Sequence, residues 1–261
     1  MDCRLTMKQL PNLFTLLNLV FGCIAIVFIL QTNQIIVYIN NEGFTEVNLP
    51  EKIVWGSICI FIAAMVDFLD GFVARLFKST STMGKQLDSL ADVVSFGVVP
   101  GLILYQLLRI SFAREETGLD ISMAMLLPAL LIPCAAAWRL AKFNLDDKQQ
   151  FYFKGLPAPA AGLFIASFPL IIFYQTLGLQ FLLINKWLLY AVIFLLSYLM
   201  VSNLPLMSLK LKDFSIKNNF SKIILLVIGI VAAIFLKWLA VPLVLLCYIV
   251  LSLILRPSIS K

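Results

Sequence analysis

Residues 67–92 read DFLDGFVARLFKSTSTMGKQLDSLAD and carry four aspartates. The aspartates form two pairs at helical spacing, Asp67 with Asp70 and Asp88 with Asp92. Because an α-helix turns by about 100° per residue, the members of each pair lie on one helix face. Gly71 and Ala74 fall on the same stripe as the first pair. The pattern predicts a groove with carboxylates on its walls and almost no side chain on its floor.

Apolar sequence flanks the aspartates, with GSICIFIAAMV at residues 56–66 and VVSFGVVPGLILYQLL at residues 93–108. Carboxylates at the edge of such helices are costly to place and mark functional sites by default. Several carboxylate oxygens together suit hard cations such as Mg²⁺ or Mn²⁺. The residues alone leave three hypotheses open: a metal-dependent site that accepts a phosphate or nucleotide, an ion pathway in a transporter, and a helix hairpin that tolerates a few polar side chains.

The composition is that of a membrane protein with several spans. Of the 261 residues, 61% are hydrophobic and 13% are charged, whereas soluble domains are about half apolar and about a quarter charged. A formal charge of +6 is typical of basic cytoplasmic loops in such a protein, and we expect no nucleic-acid partner. The chain has no histidine, so a general base must be a carboxylate, a lysine or a cysteine.

Apolar segments predict an all-α integral membrane protein, a polytopic bundle of about eight transmembrane helices that forms one domain over residues 1–261. The segments lie near residues 13–30, 53–77, 88–110, 122–140, 159–174, 182–200, 223–235 and 240–255. Because a short link joins the second and third segments, we expect the two aspartate pairs to meet at one membrane face. Pro128 and Pro133 are expected to kink the fourth helix.

The distribution of basic residues predicts the orientation. Of twenty Lys and Arg residues, five fall on the side opposite the aspartates, namely Lys52, Arg109, Arg114, Lys186 and Lys237. The remaining fifteen lie on the side that holds both termini and the aspartates. Since cytoplasmic loops are enriched in Lys and Arg, we expect the aspartate site and both termini to be cytoplasmic in a multi-pass protein of the cell membrane.

Polar residues recur on one face of the first predicted helix. Asn12, Thr15 and Asn18 are spaced three apart. Polar side chains within a spanning helix form hydrogen bonds to neighbouring helices or cap the helix end. Alternatively, this face lines a nucleotide pocket.

Eight positions of the 67–92 stretch fit the pattern D-x-x-D-G-x-x-A-R followed, after eight residues, by G-x-x-x-D-x-x-x-D. They are Asp67, Asp70, Gly71, Ala74, Arg75, Gly84, Asp88 and Asp92. With this pattern the chain resembles the CDP-alcohol phosphotransferase family. Three further segments, SFGVVPG at 95–101, WRLAKFN at 138–144 and FKGLPAPAA at 153–161, are similar to those of the membrane-integral phosphatidylserine synthases within that family.

The resemblance implies roles for the residues of the signature. It makes Asp67, Asp70 and Asp88 metal ligands, and it makes Asp92 the base for the acceptor hydroxyl and also a ligand. Two divalent ions, Mg²⁺ or Mn²⁺, are expected. It further implies that Gly71, Ala74 and Gly84 give the nucleotide room, while Arg75 either anchors a phosphate or pairs with an aspartate.

The same resemblance implies CDP-diacylglycerol and L-serine as substrates, contact with membrane lipids, and a homodimer as an assembly common in the family. Glycerol 3-phosphate and inositol phosphate remain alternative acceptors, and an ion-coupled transporter is a more distant alternative. A serine acceptor brings a carboxylate, for which Arg139 and Lys142 are the candidate cations. Both residues could instead cap a helix end, where the macrodipole favours cations, or meet lipid headgroups.

Overall fold

The computed structural model describes residues 3–31, 37–39, 45–47, 49–76, 81–115, 121–145, 153–206 and 216–254. Its α-helices are α1 (Cys3–Leu30), α2 (Glu51–Leu76), α3 (Thr82–Val93), α4 (Val99–Ala113), α5 (Leu131–Leu145), α6 (Ala158–Phe173), α7 (Gln180–Leu183), α8 (Lys186–Val201), α9 (Ile216–Leu236) and α10 (Ala240–Ile254). A π-helical turn, Val94–Val98, joins α3 to α4. The described strands are β1 (Val37–Ile39), β2 (Thr45–Val47), β3 (Phe153–Lys154) and β4 (Pro205–Leu206), paired as two antiparallel ribbons.

The helical prediction is confirmed: each of the eight apolar segments contains an α-helix, and the fourth begins with two 3₁₀ turns. The described part of the chain has eight such helices when α3 and α4 count as one and the four-residue α7 is set aside. Four helical stretches among the described residues are long and apolar enough to cross a membrane. They are Pro11–Leu30, Glu51–Val73, Thr82–Ala113 and Ile223–Ser252. Helices α6 and α8 are apolar but shorter, with 16 residues each.

Two helix starts differ from the sequence expectation. Helix α1 begins at Cys3, ten residues before the apolar segment, so that Pro11 lies inside the helix. Helix α3 begins at Thr82 and not near Asp88. The cause is Ser81, whose hydroxyl accepts a hydrogen bond from the backbone N–H of Gly84 at 2.9 Å and so satisfies one of the donors that a helix start leaves free.

The fourth predicted helix is broken, where a kink was expected. Residues Met123–Met125 and Leu127–Leu130 form two 3₁₀ turns, and α5 begins only at Leu131. Pro128 lies in the second turn and Pro133 in the first turn of α5. Because proline lacks an N–H and its ring clashes with the preceding turn, both residues are accommodated at helix starts.

A small ribbon closes one end of the bundle. Strand β3 pairs with β4 in antiparallel register, and the N–H of Gly155 donates to the carbonyl of Leu204 at 2.9 Å. Gly155 has φ +79°, and a Cβ on it would lie 2.7 Å from the carbonyl oxygens of Met200 and Ser202. The ribbon therefore requires glycine at this position and ties the start of α6 to the end of α8.

The π-helical turn lies where four helices converge. It begins at Val94, two residues after Asp92, and packs against α1, α5 and α6. Small residues permit this approach: a Cβ on Gly97 would lie 3.0 Å from Cβ of Ala136, and one on Gly162 would lie 3.1 Å from Cα of Phe96. A π-turn in a long helix often marks a functional site; here it sets the helix that carries Asp92 against its neighbours.

Gly101→Ala tests this close packing. A Cβ there would lie 2.9 Å from the Pro133 ring and 3.2 Å from the Ala129 carbonyl oxygen, and neither neighbour can turn away. We expect a loss of about 1–3 kcal/mol in the free energy of unfolding, measured by thermal unfolding in detergent. Gly229→Ala is the control, since its Cβ would meet Val244 at an ordinary 3.5 Å; equal effects of the two changes would contradict the packing account.

Candidate active site

Helix α1 connects the two aspartate pairs. It packs against both α2 and α3. The Thr15 hydroxyl donates to Oδ2 of Asp70 on α2, and Nδ2 of Asn18 donates to Oδ1 of Asp92 on α3 at 3.3 Å. The hydrogen-bonding interpretation is thus confirmed for Thr15 and Asn18, and their partners are the aspartates themselves.

The third member of this face, Asn12, lies beside Gly84. A Cβ on Gly84 would approach Oδ1 of Asn12 to 2.9 Å. At the other side of the site, a Cβ on Gly71 would meet no atom within 4 Å, so open space adjoins this turn of α2. The side chains of Ala74 and Arg75 lie outside the described residues.

Three of the four aspartates form a close carboxylate cluster. Asp67, Asp88 and Asp92 each offer an oxygen within 4.8 Å of the others. Asp70 stands outside this close set but within electrostatic range of Asp67 and Asp88. A donor set made only of carboxylate oxygens fits Mg²⁺ or Mn²⁺, and the spacing allows the cluster to hold a divalent ion.

The electrostatics of the cluster favour a cation. Asp70 and Asp92 are buried and Asp67 and Asp88 are partly buried, and like charges brought together in a poorly solvated site disfavour full ionisation. Hydrogen bonds from Thr15 and Asn18 offset part of this cost. A bound divalent ion would offset far more, since it is the largest local charge in such a site.

Asn18 is held from two directions. It is fully buried, and Ser95 of the π-turn donates its hydroxyl to the Asn18 carbonyl at 3.2 Å. Its side-chain Oδ1 has no hydrogen-bond partner within the described residues. Sequence reasoning missed Ser95, although a serine three residues after Asp92, inside an apolar run, was a visible signal.

Arg139 approaches the cluster, whereas Lys142 does not contact it. The Arg139 side chain is only 8% exposed and interacts electrostatically with Asp92. Lys142 donates from Nζ to Oδ1 of Asn203 at 2.6 Å. Both residues line a small cavity between α5 and the end of α8, together with Trp138 and Ser202.

A polar network that sequence reasoning missed ties α3 to the end of α5. Nδ2 of Asn144 donates to the Ser89 hydroxyl at 2.8 Å, and Nζ of Lys85 donates to the Asn144 carbonyl at 3.3 Å. Ser89 adjoins Asp88 in the chain. Asn144, the last residue of the WRLAKFN segment, could have indicated this network. Its hydrogen bonds fix the position of α3 relative to α5.

Comparison with known proteins identifies the family. The family model described as CDP-alcohol phosphatidyltransferase matches residues 8–202. The CDP-diacylglycerol–serine O-phosphatidyltransferase of Bacillus subtilis is 30% identical over 191 residues, which cover 69% of this chain and 89% of that protein.

Two other relatives match over a smaller part of their length. The enzyme of the same name from Mycobacterium leprae is 33% identical over 67% of this chain and 55% of that protein. The archaetidylserine synthase of Methanothermobacter thermautotrophicus is 35% identical over 49% of this chain and 51% of that protein. The chain thus spans about half the length of these two relatives. The family match extends over most of the chain and includes every element that contributes to the carboxylate cluster, so this chain belongs to the CDP-alcohol phosphatidyltransferase family.

Proposed function

We propose that this protein transfers a phosphatidyl group from CDP-diacylglycerol to the hydroxyl of L-serine, giving phosphatidylserine and CMP. The observation that supports it most is the carboxylate cluster of Asp67, Asp88 and Asp92, with the buried cation Arg139 within electrostatic range of Asp92. Relatives named as serine phosphatidyltransferases, in Bacillus and Mycobacterium, favour serine as the acceptor. The family favours an enzyme over an ion-coupled transporter.

In this proposal the four aspartates hold two divalent ions, Mg²⁺ or Mn²⁺, with Asp92 also acting as the general base. When bound, such ions would supply positive charge to offset that of the phosphates during an in-line displacement. Asp92 accepts the proton of the serine hydroxyl. The serine oxygen forms a bond to the lipid-side phosphorus, the bond from that phosphorus to CMP breaks, and CMP leaves with the electron pair.

The nucleotide occupies the open side of the cluster. Gly71 leaves room there, and Ala74 and Gly84 are the other small residues that give the nucleotide room in this proposal. Arg75 either anchors a phosphate or pairs with an aspartate. The polar face of α1, made of Asn12, Thr15 and Asn18, borders the same space. Its hydrogen bonds to Asp70 and Asp92 hold those carboxylates while the nucleotide binds.

In this proposal the serine acceptor binds on the side of the carboxylate cluster that faces Arg139. A guanidinium can hold a carboxylate through two parallel hydrogen bonds, and its burial strengthens such a pair. Lys142 is held by Asn203 on the wall of the same cavity, where it adds positive charge for a carboxylate or a substrate phosphate. An acceptor that already carries a phosphate would need more cations than these two.

The acceptor assay is the decisive test of this function. Purified protein is supplied with CDP-diacylglycerol and one alcohol at a time, and CMP release is measured. We expect release with L-serine, loss with a chelator, and recovery with Mg²⁺ or Mn²⁺. Use of glycerol 3-phosphate or inositol phosphate in place of serine would refute the acceptor; no CMP with any alcohol would refute the proposed reaction.

Variants of single aspartates distinguish the metal ligands from the general base. Asp92→Asn is expected to lower kcat by about 10²–10⁴-fold, the usual contribution of a general base, while retaining much of the affinity for CDP-diacylglycerol. Asp67→Asn and Asp88→Asn are expected to lose metal binding and lipid affinity together, measured by calorimetry. Glu51→Gln, at the exposed start of α2, is the control. Equal loss of affinity in all three aspartate variants would leave the base unassigned.

We further propose that the site and both termini face the cytoplasm of a cell membrane. The support is the excess of Lys and Arg on that side of the chain. Single cysteines introduced at Asn40 and at Lys212 in a cysteine-free background can be labelled in intact cells with a membrane-impermeant reagent. Position 40 should react and position 212 should not; the reverse result would invert the orientation.

A further inference from the structure

A serine of the π-helical turn reaches the backbone of α1. Ser95 is fully buried, and its hydroxyl donates to the backbone carbonyl oxygen of Asn18 at 3.2 Å. A carbonyl oxygen has two lone pairs, so this one can accept both the helical hydrogen bond from the N–H of Gly22, four residues on, and the bond from Ser95. The contact joins α1 to the π-turn at the residue whose side chain meets Asp92.

Gly22 makes the approach of Ser95 possible. A Cβ on Gly22 would lie 2.5 Å from Oγ of Ser95 and 3.3 Å from Cα of Ser95. Both distances are shorter than an ordinary van der Waals contact. A side chain at position 22 would therefore displace the Ser95 hydroxyl from the Asn18 carbonyl or push α1 away from the π-turn.

Asn18 connects this contact to the carboxylate cluster. Its Nδ2 donates to Oδ1 of Asp92 at 3.3 Å, and both residues are buried, so that the loss of this hydrogen bond would leave a poorly solvated carboxylate without it. The short Asn18 side chain starts from the backbone that Ser95 contacts. The position of its amide, and with it the direction of the Asp92 carboxylate, thus depends on the π-turn.

We propose that Ser95 is a positioning residue for Asp92, and that it acts through Asn18. Ser95 holds the α1 backbone, the Asn18 amide holds one oxygen of Asp92, and the carboxylate is kept in place to bind an ion together with Asp67 and Asp88. Hydrogen-bond partners behind a ligating carboxylate orient it in this way. The inference rests on the proposed function in taking the cluster as a divalent-metal site, but it does not depend on which alcohol is the acceptor.

The affinity of the purified protein for Mn²⁺, measured by calorimetry without lipid substrate, tests this role. Asn18→Ala removes the direct partner of Asp92 and is expected to weaken Mn²⁺ binding about 10–100-fold. Ser95→Ala removes one hydrogen bond behind it and is expected to weaken binding about two- to tenfold.

Ser167→Ala is the matched control. Ser167 is also fully buried, but its hydroxyl donates to the carbonyl of Phe164 within its own helix, α6, at 2.6 Å. We expect its removal to leave the Mn²⁺ affinity unchanged. Equal effects of Ser95→Ala and Ser167→Ala on Mn²⁺ affinity would overturn the inference.

A double-mutant cycle separates positioning from packing. Asn18→Ala removes the amide but keeps the backbone carbonyl that Ser95 contacts. In this background Ser95→Ala should change the melting temperature as it does in the parent protein, yet have little further effect on Mn²⁺ affinity, since positioning acts only through the amide. Additive losses of affinity would overturn the inference. The cycle needs no turnover, so failure of the proposed reaction, with no CMP released, would be seen separately.

Gly22→Ala tests the placement of the hydroxyl by a second route. We expect it to lower the melting temperature and to weaken Mn²⁺ binding, because its methyl group would displace the Ser95 hydroxyl. In a Ser95→Ala background the 2.5 Å contact is absent and the nearest atoms lie at 3.3 and 3.4 Å, so the same change should cost less stability. An equal loss of stability in both backgrounds would contradict the proposed contact.

Discussion

The repulsion among four carboxylates at the end of apolar helices is the constraint on which the rest of the structure depends. Such charges persist only where hydrogen bonds and cations offset their desolvation. The protein supplies the hydrogen bonds from α1, where Thr15 contacts Asp70 and Asn18 contacts Asp92. Arg139 adds a buried cation within electrostatic range of Asp92. The negative charge that these groups do not offset favours the binding of divalent ions to the carboxylate oxygens.

The aspartate site was largely predictable, because its information is local. Spacings of three and four place carboxylates on common helix faces whatever the rest of the chain does. The role of α1 was only half predictable: the period of Asn12, Thr15 and Asn18 shows a polar face, yet which helix that face meets depends on packing across the bundle. The Asn18–Ser95 contact required the π-turn, and a register change of this kind leaves no clear period in the sequence.

Hydropathy was enough to predict which segments are helical, but not where the helices begin and end. The start of α3 depends on one capping hydroxyl of Ser81, and the break before α5 depends on how the neighbouring helices accommodate Pro128 and Pro133. The C-terminal helices looked like plain apolar spans. The burial of Tyr248 and Ser252 on α10 depends on how the helices pack, which hydropathy does not show.

Electron paramagnetic resonance of Mn²⁺ added to the purified protein shows whether the aspartates form a divalent-metal centre. Ions held by one two-metal site lie about 3.5–4 Å apart and interact magnetically. We expect saturable binding with a spin-coupled signal when CDP-diacylglycerol is present, and loss of that signal in Asp88→Asn. A spectrum that remains that of the free ion at every protein concentration would contradict it.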